Sequence, residues 1–215
     1  MRVSGCCADG YGKIFSKRQA RRDARRYRRK GLDRNARRMV DELTARGVDG
    51  ASVLEVGGGV GAIELELLTA GAARATNVEL SPEYEEEARR LVLERGAAER
   101  VERRVADFVA AEREIPEADV VVMHRVVCCY PDPDALVGAA ARRARRLLAM
   151  TFPRDTWWMR LGQRVMNVFL RRLYGFEAYV HPRRTIVGAA ERAGFSRVHE
   201  HSALIWQIVV LERAA

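Results

Sequence analysis

The octapeptide Leu54-Glu55-Val56-Gly57-Gly58-Gly59-Val60-Gly61 decides how this chain is read. Residues 52–56 make an apolar run of strand length, and residues 60–69 carry a helical pattern closed by Gly71. Between them, Gly57, Gly58, Gly59 and Gly61 let the backbone turn tightly and approach a ligand where a Cβ would clash. Dinucleotide-binding enzymes also have such a turn, but their GxGxxG spacing, counted from Gly57, puts its third glycine at residue 62, which is Ala62 here. Acids sharpen the reading. Glu55 precedes the glycines, and Glu79 ends the next strand pattern (residues 75–80), 18 residues after Gly61, where a carboxylate can accept two ribose hydroxyls. A third acid, Asp107, followed by Phe108, closes a strand at residues 101–106. That order matches an adenine site, with Asp107 accepting from the exocyclic amine and Phe108 or Leu80 packed on the ring.

Strand and helix patterns alternate on either side of this turn. A helix at residues 34–46 precedes it; after it come a helix at 82–94 with Ser81 as its cap, a strand at 118–124, a helix at 134–145 and a strand at 146–151. Beyond Pro153 lie an amphipathic helix at 156–172, a helix at 182–193, and closing strands at 197–200 and 203–211. The alternation predicts an α/β fold, a seven-stranded, mostly parallel sheet with helices on both faces. Residues 1–12 carry no helical pattern and read as a loose lead-in; residues 16–30 read as a helix with almost no apolar face. We expect a basic N-terminal extension over residues 1–33 and one domain over 34–215.

The net charge of +9 is concentrated at one end. Residues 1–38 hold 14 Lys or Arg against 3 acids, and the rest of the chain has 24 against 26. Such an arm reads either as a solvated helix draped over the domain or as an anion-binding lid. The four cysteines form two adjacent pairs, Cys6-Cys7 and Cys128-Cys129, which is not zinc-site spacing, so no metal is expected. The longest apolar runs are far short of the roughly 20 residues that cross a bilayer, and the N-terminus has no apolar signal stretch, so a cytoplasmic protein is expected.

Over residues 53–148, the glycine turn and the three strand-end acids together resemble the class I S-adenosylmethionine-dependent methyltransferases. The resemblance implies a Rossmann-like class I fold with S-adenosylmethionine as cofactor, its amino-acid part held by Glu55, Gly57 and Gly59. Beyond the fourth strand the chain is similar to the magnesium-protoporphyrin IX O-methyltransferase subfamily, through Cys129-Tyr130-Pro131, the segment from Phe152 to Thr156, Gly162, and Tyr179-Val180-His181. It departs from that subfamily at Cys129, where those enzymes carry a histidine, and at Arg125, where they carry an acid. This implies a relative with a different acceptor.

The segment 121–132 follows the fourth strand and edges the expected cleft. His124 and Arg125 are read as cofactor-side residues, His124 through its backbone or its ring. His124 and His181 are the candidate bases and Tyr130 the orienter. Two functions are open. A small-molecule acceptor, methylated at oxygen or nitrogen on a carboxylate or hydroxyl, would sit under a roof drawn from Trp157, Trp158, Met159, Met166, Phe169, Tyr174, Phe176 and Tyr179, near Arg125, Arg183 and Arg184. Alternatively, an RNA substrate would use the arginine arm for phosphate contacts. The oligomeric state is not legible.

Overall fold

A computed structural model describes residues 8–214. Its seven strands, β1 (Ser52–Val56), β2 (Arg74–Glu79), β3 (Val101–Val105), β4 (Ala118–His124), β5 (Ala144–Pro153), β6 (Phe195–Ser202) and β7 (Trp206–Arg213), form one sheet in the order β3-β2-β1-β4-β5-β7-β6. β1 to β5 are parallel; β7 runs antiparallel to both β5 and β6. The order reverses beside β1, so the carboxyl ends of β1 and β4 flank the crevice in which open α/β sheets bind ligands.

The central strands are apolar throughout because both faces are covered. Val120 and Val122 of β4, Leu147 and Ala149 of β5, and Ile208 and Val210 of β7 point into one core. That core is completed by α2 (Lys17–Lys30), α3 (Arg34–Ala45), α4 (Ala62–Thr69) and α5 (Glu85–Glu94). The alternate residues Val121, Met123, Leu148, Met150, Val209 and Leu211 point into the other, against α6 (Pro133–Arg143) and α8 (Arg183–Arg192). The period of two therefore places adjacent valines of one strand in different cores.

Several expectations are corrected. The lead-in is helical from α1 (Ala8–Ile14), because tertiary contacts supply what local pattern lacks: Gly10 lies so close to the Gly175 backbone that a Cβ would sit 2.5 Å from its carbonyl oxygen. The lead-in before residue 8, with Cys6-Cys7, lies outside the described residues. α2 does have an apolar edge, Ala20, Ala24 and Tyr27 at i, i+4 and i+7, all buried. Its arginines bind the neighbouring helix: Arg28 makes a bidentate pair with Glu94, and Arg21 and Arg28 reach Glu87. Ser81 does not cap the next helix; its hydroxyl donates to the Phe15 carbonyl at 2.8 Å, and a 3-10 turn at Pro82–Tyr84 leads into α5. The remaining helix, α7 (Trp157–Tyr174), turns most of its surface to solvent.

Candidate functional site

The site is built at the junction of β1 and α4. Gly57, Gly59 and Gly61 have φ of 64°, 55° and 78°, a left-handed backbone that side-chain-bearing residues rarely adopt. A Cβ on Gly57 would also fall 2.5 Å from Val126. The Glu55 carboxylate accepts the Glu64 backbone N–H in the first turn of α4 at 2.9 Å. Burial and the nearby Glu64 carboxylate push its pKa well up.

Beside the turn, both Glu79 oxygens are fixed by backbone donors: Oε2 accepts from Gly59 N at 2.9 Å and Oε1 from Ser81 N at 2.8 Å. Burial raises its pKa, opposed by these two bonds. Each oxygen keeps lone-pair capacity for a further donor. Under the turn, Arg103 of β3 donates to the Gly59 carbonyl at 3.0 Å and to Glu85 at 3.1 Å, and lies 3.7 Å from Glu64. Glu64, fully buried, accepts from Asn77 at 2.9 Å; burial raises its pKa to about 7. Asp107 accepts from Val109 N at 3.0 Å and from the Tyr130 hydroxyl at 3.5 Å.

A cavity of about 260 Å³ opens over the turn. Its walls include Gly57, Gly58, Gly59, Glu55 and Glu79 from the sheet side, and His124, Arg125 and Cys129 from beyond β4. Its roof is the N-terminal segment, with Tyr11, Phe15, Asp23, Arg26 and Tyr27. Tyr84 donates to Asp23 at 3.0 Å, and Tyr11 packs on Phe15 with ring centroids 4.3 Å apart, so the roof is tied to the wall.

Asp33 is the hub of the far wall. One carboxylate oxygen caps α3, accepting from Asn35 N and Ala36 N; the other lies 3.4 Å from His124 Nε2 and 3.0 Å from an Arg125 guanidinium nitrogen. Burial raises the Asp33 pKa, but the bond from His124, the helix-end donors and Arg125 outweigh it and hold the carboxyl well below its ordinary range. Burial keeps His124 below its ordinary 6.5 despite Asp33, and its Nδ1 is buried without a partner. Arg125 has φ of 61°, lies over the Trp206 ring at 4.7 Å, and donates its backbone N–H to Thr151.

The sequence-expected residues thus divide. Glu55, Gly57, Gly58, Gly59, Glu79, His124 and Arg125 meet at the cavity. Gly61 lies behind it against Glu64, and Leu80 and Asp107 stand at neighbouring strand ends. Phe108 is 5% exposed within the second core, and Leu80 is partly exposed. Tyr130 and His181 do not line the cavity: His181 Nε2 bonds the Tyr130 carbonyl at 2.9 Å, and its ring stacks on Tyr179. The Cys128 and Cys129 thiols both reach the Arg125 carbonyl. Arg183 is paired with Glu200, and no α7 residue lines the cavity. Asp33, Arg26, Tyr84 and Arg103 were not expected. Asp33 is a recognisable helix cap in sequence, but nothing local shows its second oxygen turned to β4.

Residues 24–200 match a family described as a methyltransferase domain. No curated protein sequence matches the chain. Among solved structures, magnesium protoporphyrin IX methyltransferase from Synechocystis, with bound SAH, superposes with a TM-score of 0.66 at 22% identity, over 82% of this chain and 83% of that one. An O-methyltransferase family protein from Burkholderia thailandensis gives 0.69 at 19% identity, over 94% and 64%. Human N-acetylserotonin methyltransferase, in complex with SAM, gives 0.66 at 16%, over 97% and 60%.

Proposed function

The chain belongs to the methyltransferase-domain family, and from that membership we propose that it methylates an oxygen or nitrogen atom of a small-molecule acceptor with S-adenosylmethionine as donor. When bound, S-adenosylmethionine supplies an electrophilic methyl group on a sulfonium. The observation that carries the reading is the Glu79 carboxylate, fixed by Gly59 N and Ser81 N beside a glycine turn in left-handed backbone, where a Cβ at Gly57 would meet Val126. In this reading Glu79 takes the ribose hydroxyls, Asp107 the adenine amine, and Leu80 the ring face. Gly57, Gly58 and Gly59 admit the amino-acid part, with Glu55 holding the turn against α4. Arg26, on the roof of the cavity, supplies positive charge for its carboxylate.

His124 is the proposed base. With its Nε2 hydrogen toward Asp33, the unpartnered Nδ1 carries the lone pair that would take the acceptor's proton. A pKa below 6.5 keeps it neutral at pH 7. Orientation of the acceptor and exclusion of water are the protein's larger task, worth up to roughly 7–11 kcal/mol when attack geometry is enforced. An acceptor carrying a carboxylate or hydroxyl suits this arrangement. Against an RNA substrate, Arg21 and Arg28 of the arginine arm are paired with Glu87 and Glu94.

Calorimetric titration with S-adenosylhomocysteine tests the cofactor assignment. Saturable binding by the native protein that is lost in Glu79→Ala is expected. Equal binding by both proteins would overturn the assignment.

A further inference from the structure

The side of α7 turned away from the protein is a largely apolar surface, interrupted by Arg172 toward its C-terminal end, that neither core nor cavity uses. Its inner side is held by amides: Asn167, the helix's buried residue, and Gln163 both donate to the Ala178 carbonyl, at 2.9 and 2.8 Å. On the opposite side stand Trp157 (77% exposed), Leu161, Val165, Val168, Phe169 (60%) and Leu173 (64%). At 100° per residue these fall on an arc of roughly 160°. The β6–β7 turn extends the surface: Leu204 is 75% exposed, and Ile205 accepts from the Arg154 backbone N–H just before α7.

Charge selects the occupant. α7 contains Arg160, Arg164, Arg171 and Arg172 and no acid. On the helical projection, Arg160, Arg164 and Arg171 form one row between the amide side and the apolar arc. Arg160 and Arg171 pair with Asp155 and Glu177, which flank the helix, leaving the segment net cationic. An apolar arc carrying Trp, Leu and Phe, bordered by arginines, is the pattern of a helix lying in the plane of a bilayer surface. A second copy of the chain would bring another acid-free helix to the same arginines.

We propose that α7 and the β6–β7 turn dock this protein on an anionic lipid surface, with the arginines at headgroup level and Trp157, Leu161 and Phe169 among the acyl chains. The contact is peripheral, since no helix among the described residues is long and apolar enough to cross a membrane. It holds whatever the acceptor is.

Co-sedimentation of the full chain with phosphatidylcholine vesicles, with and without phosphatidylglycerol, tests this. Binding should require phosphatidylglycerol and be accompanied by a blue shift of tryptophan fluorescence. Trp157→Glu/Leu161→Glu/Phe169→Glu should lower partitioning about tenfold or more, while S-adenosylhomocysteine binding shows that the variant folds. Arg164→Glu/Arg172→Glu should weaken binding to anionic vesicles and flatten its salt dependence. Three outcomes would overturn the proposal. The native chain stays in the supernatant with both vesicle types. The triple variant binds as the native chain does, which moves the contact to the N-terminal arginines. Or light scattering shows a native dimer that the triple variant abolishes, which makes a second copy the occupant.

Discussion

The second carboxylate oxygen of Asp33 lies 3.4 Å from His124 Nε2, while the first caps α3. One side chain thereby fixes the start of a helix and the orientation of the proposed base.

Asp33→Asn separates these roles. Asparagine caps helices as well as aspartate does, so the start of α3 should be kept, while losing the carboxylate that faces Arg125 should cost about 1–3 kcal/mol. Loss of the charge facing His124 should lower turnover by about tenfold or more with cofactor binding kept. Because Asp33 raises the His124 pKa against burial, the acid limb of the rate profile should move to lower pH. Steady-state rates across pH, with saturating cofactor, check this; an unmoved limb and full turnover would remove both residues from the chemistry.

Glu64 ties stability to pH. With its carboxyl held up at about 7, the folded chain keeps a proton that the unfolded chain, near 4.5, has released. The contribution is full below about pH 4.5 and is lost as pH rises through about 7, on the order of 3 kcal/mol. Glu64→Gln should remove this decline. Urea unfolding at about pH 5 and about pH 8 should show the variant gaining on the native protein at the higher pH. Parallel slopes would contradict it.

Gly57 and Val126 should couple. Gly57→Ala places a Cβ 2.5 Å from Val126 at a φ of 64°, so a loss of about 2–4 kcal/mol is expected from strain and overpacking. Val126→Ala should restore part of it by removing the clash but not the backbone strain. A thermal-unfolding double-mutant cycle measures the coupling, and strictly additive effects would deny the contact.

Arg103→Met should loosen the glycine turn from beneath. It removes the donor to the Gly59 carbonyl and the cation facing buried Glu64. Stability should fall by about 2–4 kcal/mol, and S-adenosylhomocysteine affinity should fall with it. Unchanged affinity in the folded variant would make Arg103 purely structural.

Much of this fold was legible because its signals are local. The apolar runs of β4 and β5, the glycines of the turn, and Glu79 and Asp107 at strand ends need no knowledge of the rest of the chain. What escaped depends on distant partners. α1 is helical where Gly10 meets Gly175, and the alanines of α2 form a core edge too narrow to stand out among arginines. Ser81 has a cap's position, but Phe15 takes its hydroxyl. Periodicity announced α7 as amphipathic, yet the amide bonds to Ala178, which turn its apolar side outward, are invisible in its period. Asp33 and His124 are brought together by the docking of α3 on β5 and β7, which sets its first residues at the end of β4, and no motif spans that distance.

The central claim is methyl transfer to a small molecule, and it is tested most directly with S-adenosylmethionine labelled in its methyl group, incubated with the native protein and host-cell lysate, beside Glu79→Ala. The account predicts label in a solvent-extractable, nuclease-resistant product that the Glu79→Ala protein does not form. Label confined to a polymer that RNase destroys, or equal label with both proteins, would contradict it.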